Sequence, residues 1–144
     1  MKKGIQIGLK PGERIFINGA VLRVDRKVSI ELMNDVTFLL ESHVMQPEEA
    51  RSPIRQLYFI IQTMLMDPST VENTRMVFER TQNLLLAAIK DPELLEGLRS
   101  VGSLIEEGRN FEALKAARVL FPVEDKILSS QRAEEAEQIK REVA

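Results

Sequence analysis

Lys10, Arg14, Arg23, Arg26 and Lys27 crowd one short stretch near the start of the chain. They are interleaved with apolar residues, so a small sheet built from this stretch presents several cations on its surface. The chemistry such a surface offers is multivalent contact with an anion, above all a phosphate backbone, with affinity that falls steeply with salt. Asn18, beside Gly19, adds a side-chain donor and acceptor at a turn tip. Residues 1–31 hold seven cations against three acids, a net of +4, while the remainder holds 13 cations against 19 acids, a net of −6. A pI near 5.6 argues against indiscriminate nucleic-acid binding, which goes with a strongly basic domain, but leaves room for a local basic patch.

Catalytic chemistry has little to work with. His43 is the single histidine and there is no cysteine, which removes thiolate chemistry, disulfides and cysteine-ligated metals. Glu48-Glu49 and Glu106-Glu107 have i, i+1 spacing, so neither pair shares a helix face as a carboxylate dyad must. No glycine-rich phosphate loop, zinc spacing or nucleophile elbow is present. The expectation is a non-enzyme without cofactor or metal. Met1-Lys2-Lys3 is not followed by the apolar run of a signal peptide. The longest apolar run, Leu57 to Met66, is broken by Gln62 and Thr63 and falls far below the roughly 20 residues of a membrane span. A soluble, cytoplasmic protein with no membrane partner is expected.

The elements that must position the cations are legible from periodicity. Ile5, Ile7 and Leu9 alternate with Gln6 and Gly8, and Lys10-Pro11-Gly12-Glu13 carries type II turn chemistry. Arg14–Ile17, Ala20–Val24 and Val28–Leu32 follow as strands, joined at Asn18-Gly19 and at Asp25-Arg26-Lys27, which reads as a series of hairpins. Phe16 points away from Ile15 and Ile17 and is assigned a structural rather than a base-stacking role. From Pro47 the pattern turns helical. Ser52-Pro53, Asp67-Pro68 and Asp91-Pro92 each read as a cap followed by a helix-opening proline. A middle helix over 70–90 is expected to bury Val71, Thr74, Phe78, Leu85 and Ile89, and Leu94, Leu95, Leu98, Val101 and Ile105 form the apolar stripe of the next. Gly108 is read as a stop and Asn110 as a cap. Residues after Ser129 are polar, a solvated helix or a flexible tail.

The fold class is therefore α+β: a small antiparallel sheet of hairpins over 1–45, an antiparallel helical bundle over 46–128 packed on it, and a polar tail over 129–144. Ile54, Leu57, Tyr58, Ile61 and Leu65 form a helical stripe, and Phe59, Ile60, Met64 and Met66 make the same helix apolar on further faces. Such a helix is central to the core or docks a partner, in which case Leu57, Tyr58, Ile61 and Leu65 are the contact residues. Uncovered hairpin edges also make a homodimer an expectation.

The run from Leu9 to Lys27, with Asn34–Glu41, Arg55–Ile60, Gln62–Met66 and Phe111–Lys115 leading to Leu120-Phe121-Pro122, resembles the FlbT family of alphaproteobacterial flagellin-synthesis regulators. The resemblance implies a cytoplasmic post-transcriptional regulator that binds the 5′ untranslated leader of flagellin mRNA, represses its translation and promotes its decay. It also implies an opposing helical partner of the FlaF kind. On that reading Lys10, Arg14, Arg23, Arg26 and Lys27 contact phosphates and Asn18 reads the RNA. The alternative is a protein-interaction adaptor or chaperone-like factor whose apolar helix binds flagellin or that helical partner, acting on the message indirectly.

Overall fold

The computed structural model describes residues 4–143 except Gly19 and Asp35. The expectations for Lys2, Lys3 and Gly19 lie outside the described residues. Five short strands come first: β1 (Ile5–Leu9), β2 (Arg14–Ile17), β3 (Ala20–Arg23), β4 (Val28–Leu32) and β5 (Phe38–Leu40). Helices α1 (Pro53–Met66), α2 (Val71–Ala88), α3 (Pro92–Glu106), α4 (Asn110–Val119) and α5 (Phe121–Val143) follow. The α+β class stands.

The strands pair in a different order from a run of sequential hairpins. Lys10–Glu13 is a type II turn, with Gly12 at φ +80° and the Glu13 N–H donating to the Lys10 carbonyl at 3.0 Å. Yet β1 does not pair with β2. It pairs with β4, Ile5 opposite Leu32 and Leu9 opposite Val28, while β2 lies between β3 and β5 in a second antiparallel sheet. The physical reason is burial. Ile7 and Leu9 pack with Ile15 in one cluster, to which Val28, Ile30 and Leu40 contribute. Laying β1–β4 over β2 closes that cluster on two sides, which a single flat sheet could not do.

β2 is thus a wall between two cores. Ile15 faces the cluster between the sheets, whereas Phe16 and Leu39 of β5 face the helices and join the larger core. Phe16 is 7% exposed, so its role is structural, as its register implies.

α1 is the centre of the bundle, packed against both α2 and α4, with α3 against α4. Ile54, Leu57 and Ile61 are fully buried and Tyr58 is 1% exposed; each such aliphatic side chain contributes about 1.5–3 kcal/mol. Of the residues assigned a partner-contact role, Leu57 and Ile61 are covered by the protein's own helices and offer a partner no surface, while Tyr58 borders a cleft beside α4. Leu65 is half-buried against the same core. Gln62 is buried too, and its amide pairs with the backbone of Met45, accepting from its N–H at 2.7 Å and donating to its carbonyl at 2.9 Å. In α2 only Phe78 is fully buried; Val71, Thr74 and Leu85, and Ile89 just past its end, are half-covered.

Of the two Asp-Pro signals, Asp91-Pro92 opens α3, whereas Asp67-Pro68 opens only a single 3-10 turn over Pro68–Thr70, after which α2 starts at Val71 without a side-chain cap. The Asp91 carboxylate accepts the Leu94 N–H at 3.0 Å. At α1, Ser52 does not cap with its own side chain. Its hydroxyl donates to Glu124 at 2.5 Å, and Glu124, 4% exposed at the start of α5, accepts the Ile54 N–H at 2.7 Å. A carboxylate from 70 residues away therefore does the work of the cap. Arg55 donates to Glu124 at 3.3 Å and makes two bonds to Asp125, at 2.8 and 3.1 Å. Asn110 is the first residue of α4 rather than its cap, which is Arg109. The stretch from Ser129 to Val143 is an exposed helix.

Candidate functional site

The cations of the strand region gather because two turns are stitched together. The Gly12 N–H donates to the Val24 carbonyl at 2.7 Å, and the Val24 N–H donates to the Glu13 carbonyl at 3.2 Å. These bonds hold the β1–β2 turn against the end of β3, and Arg14 lies directly opposite Arg23 in the ladder. Lys10, Arg14, Arg23, Arg26 and Lys27 consequently share one end of the sheets, and all five are exposed.

Their electrostatics are uneven. Arg14 is engaged by Glu41, just after β5, which accepts the Arg14 N–H at 2.8 Å and its Nε–H at 3.2 Å. The Arg14 backbone N–H, then its side chain, hold the Glu41 carboxyl below the usual carboxylate range. The pairing offsets the repulsion between Arg14 and Arg23, since like charges directly across a ladder are destabilising. Arg26 pairs with Asp25 at 3.2 Å, which lowers the Asp25 pKa, but both side chains are about four-fifths exposed. Water screens such a pair, and it yields readily to a competing anion. Glu13 accepts the backbone N–H of Lys10, leaving the ammonium group uncommitted by that bond. Five cations against Glu13, Asp25 and Glu41 leave an excess of two positive charges at this end.

Asn18 is not part of the cluster. It holds φ at +46° at the β2–β3 tip, as its turn requires, and its N–H donates to the Thr37 carbonyl at 3.3 Å. The length of β2 separates it from Arg14, about 13 Å at some 3.3 Å per residue.

A second feature has no counterpart in the periodicity of any one element. β1, β5, α1 and α4 enclose a cleft of about 470 Å³ lined by Ile5 to Gly8, Phe38 to Leu40, His43, Tyr58, Phe111, Leu114, Lys115 and Arg118. Its walls are mostly apolar, and exposed Lys115 and Arg118 stand at it. The Lys115 ammonium lies 4.6 Å from the Phe111 ring centre. The Arg118 guanidinium lies 5.3 Å from the Tyr58 ring centre and donates to the Tyr58 hydroxyl at 2.7 Å. The only trace in the sequence is Phe111, Lys115 and Arg118 at i, i+4 and i+7, one face of one helix.

Among the described residues no group of three or more His, Asp or Glu could hold a metal ion, and no helix is long and apolar enough to cross a membrane.

The model of the family described as "Flagellar protein FlbT" matches residues 5–128. The chain belongs to the FlbT family. It is 53% identical to a protein of Allorhizobium ampelinum, with 100% of this chain and 98% of that protein covered. It is 51% identical to relatives in Rhizobium etli and Agrobacterium fabrum over the same shares. All three are named "Probable flagellum biosynthesis repressor protein FlbT". No solved structure matches the chain. The matched span covers both sheets and the bundle as far as Leu128, so the stitched turns and the cleft both lie within it.

Proposed function

We propose that this chain represses flagellum biosynthesis after transcription, by holding the 5′ leader of flagellin mRNA against the basic end of its sheets. Leader held there is closed to the ribosome and open to decay. The protein acts in the cytoplasm, as a binding protein and not as an enzyme. The observation that carries this reading is the stitching of two turns by backbone hydrogen bonds, which brings Lys10, Arg23, Arg26 and Lys27 to one place. The repressor names of the full-length relatives support the same direction.

On this reading the cations divide the labour. Arg14, held by Glu41, fixes the register of the site. Lys10, Arg23 and Lys27 offer phosphate contacts, and Arg26 joins them when RNA displaces Asp25. Asn18, at the far end of β2, contacts only an RNA that runs the length of the strand. Of the surface assigned to the adaptor alternative, Leu57 and Ile61 are buried, Leu65 is half-buried and Tyr58 lines the cleft beside α4.

The test is binding of the purified protein to a flagellin leader transcript and to a scrambled transcript of equal length, across a salt series. Leader-selective binding is expected. Each phosphate contact contributes about −0.7 to the slope of log affinity against log salt for a single strand, so Arg23→Ala/Arg26→Ala/Lys27→Ala should flatten it by about 2. Unchanged affinity in that variant, or equal binding of the scrambled RNA, refutes the reading.

A further inference from the structure

The cleft beside α4 is bounded by two strand edges. Among the described residues β1 pairs only with β4, and β5 only with β2, so each turns an unpaired edge outward. Four consecutive residues of β1 and all three of β5 line the cleft. Consecutive lining places the cleft at the edges of these strands, since one strand face would offer only alternate residues. Unpaired strand edges present rows of N–H and C=O groups that a second chain can satisfy.

Charge adds a second constraint. Lys115 and Arg118 stand at the cleft, and among the described residues neither has an ion-pair partner. Glu112, on α4 itself, is engaged by Arg109, and Glu41, just after β5, by Arg14.

We propose that this cleft docks an extended peptide segment of a partner protein, with alternating apolar side chains and a carboxylate that meets Lys115 and Arg118. The peptide backbone bonds to the edge of β1 or β5, and its apolar side chains enter the pocket floored by Tyr58 and Leu114. A carboxylate gains charge-assisted hydrogen bonds there. Nucleobases fit less well. Lys115 and Arg118 already lie over the Phe111 and Tyr58 rings, and Phe38 leans on Phe111 with ring centres 6.1 Å apart. A fatty acid would satisfy the charge and the apolar walls but leave the strand edges unpaired. The proposal is independent of RNA binding, which uses other cations.

The test uses the full chain and a fluorescein-labelled pool of octapeptides that alternate Val, Ile, Leu or Phe with Ser or Thr and close on two aspartates. Anisotropy should show binding that weakens about tenfold in Lys115→Glu and stays unchanged in Lys140→Glu, which alters an exposed lysine of α5. Amide exchange on the bound protein should slow at residues 5–8 and 38–40. Equal binding of a pool closing on two lysines overturns the proposal, as does tighter binding of decanoate or of oligouridine. So does the absence of binding, or binding without slowed exchange at those edges. Lys115 is exposed, and unchanged helical circular dichroism will show that its variant is folded.

Discussion

Removing the Glu124 carboxylate is the sharpest test of how the bundle is held. In Glu124→Ala the Ile54 N–H at the start of α1 and the Ser52 hydroxyl both lose their acceptor, and both sites are buried. An unsatisfied buried donor costs about 1–3 kcal/mol, so two cost about 2–5, with a little less because the Ser52 hydroxyl can rotate. Arg55 keeps Asp125 and adds little to the loss, being only partly covered. Unfolding entropy near 2.1 cal/mol/K per residue gives about 0.3 kcal/mol/K for a chain of this length. A loss of about 3 kcal/mol therefore lowers the melting midpoint by about 10 °C. Glu124→Gln should fall between wild type and Glu124→Ala, since one amide oxygen can serve only part of the acceptor role while its NH2 group faces donors. Thermal and urea unfolding followed by circular dichroism reads both variants. A loss below about 1 kcal/mol in Glu124→Ala would refute the claim that this carboxylate caps α1.

Three further outcomes are expected. The Arg14 backbone N–H lowers the Glu41 pKa and the Arg55 side chain lowers that of Asp125. Both contributions are then complete above the ordinary carboxylate range and are lost as pH falls through the lowered folded values. The melting midpoint should drop between about pH 5 and pH 3, and Glu41→Gln should shallow that drop; an identical profile in the variant would contradict it. A Cβ at Gly97 would collide with the buried side chain of Leu120, so Gly97→Ala should destabilise by about 1–3 kcal/mol in urea unfolding despite alanine's better helix propensity. β3 is one of the unpaired sheet edges, with Val21 56% and Leu22 46% exposed, and the expected homodimer is assigned to it for its apolar exposure. Val21→Lys/Leu22→Lys should yield monomer in light scattering, and an unchanged mass would remove that edge as the contact.

Periodicity made the inward residues of β1 and β2 legible, Ile7, Leu9 and Ile15 among them, and it failed on pairing. Alternation in Ile5, Ile7 and Leu9 says that these residues share a face but not which strand lies beside them. The answer depended on burying Ile7 and Leu9 over Ile15, a contact between layers. β5 escaped notice because Phe38-Leu39-Leu40 is short and uniformly apolar, with each face taken by a different core. The central place of α1 was readable in its apolar residues on several faces. The carboxylate cap was not, because Glu124 reaches Ile54 only once α5 has docked. The basic end was half legible: its cations were evident, but their convergence rests on backbone bonds between two turns. The cleft was illegible, since four separate elements build it.

The shared wall formed by β2 has a consequence for the order in which the chain acquires its shape on the ribosome. Ile15 can find Ile7 and Leu9 as soon as about 40 residues have emerged, because every strand is then available. Phe16 and Leu39, on the opposite side of the same wall, stay wet until α1 and the later helices arrive. The nascent sandwich is therefore amphipathic for most of synthesis, with one dry face and one sticky one. Its adhesive side is shielded as α1 and the later helices dock, and the cap that Glu124 gives α1 has to wait until α5 has been made.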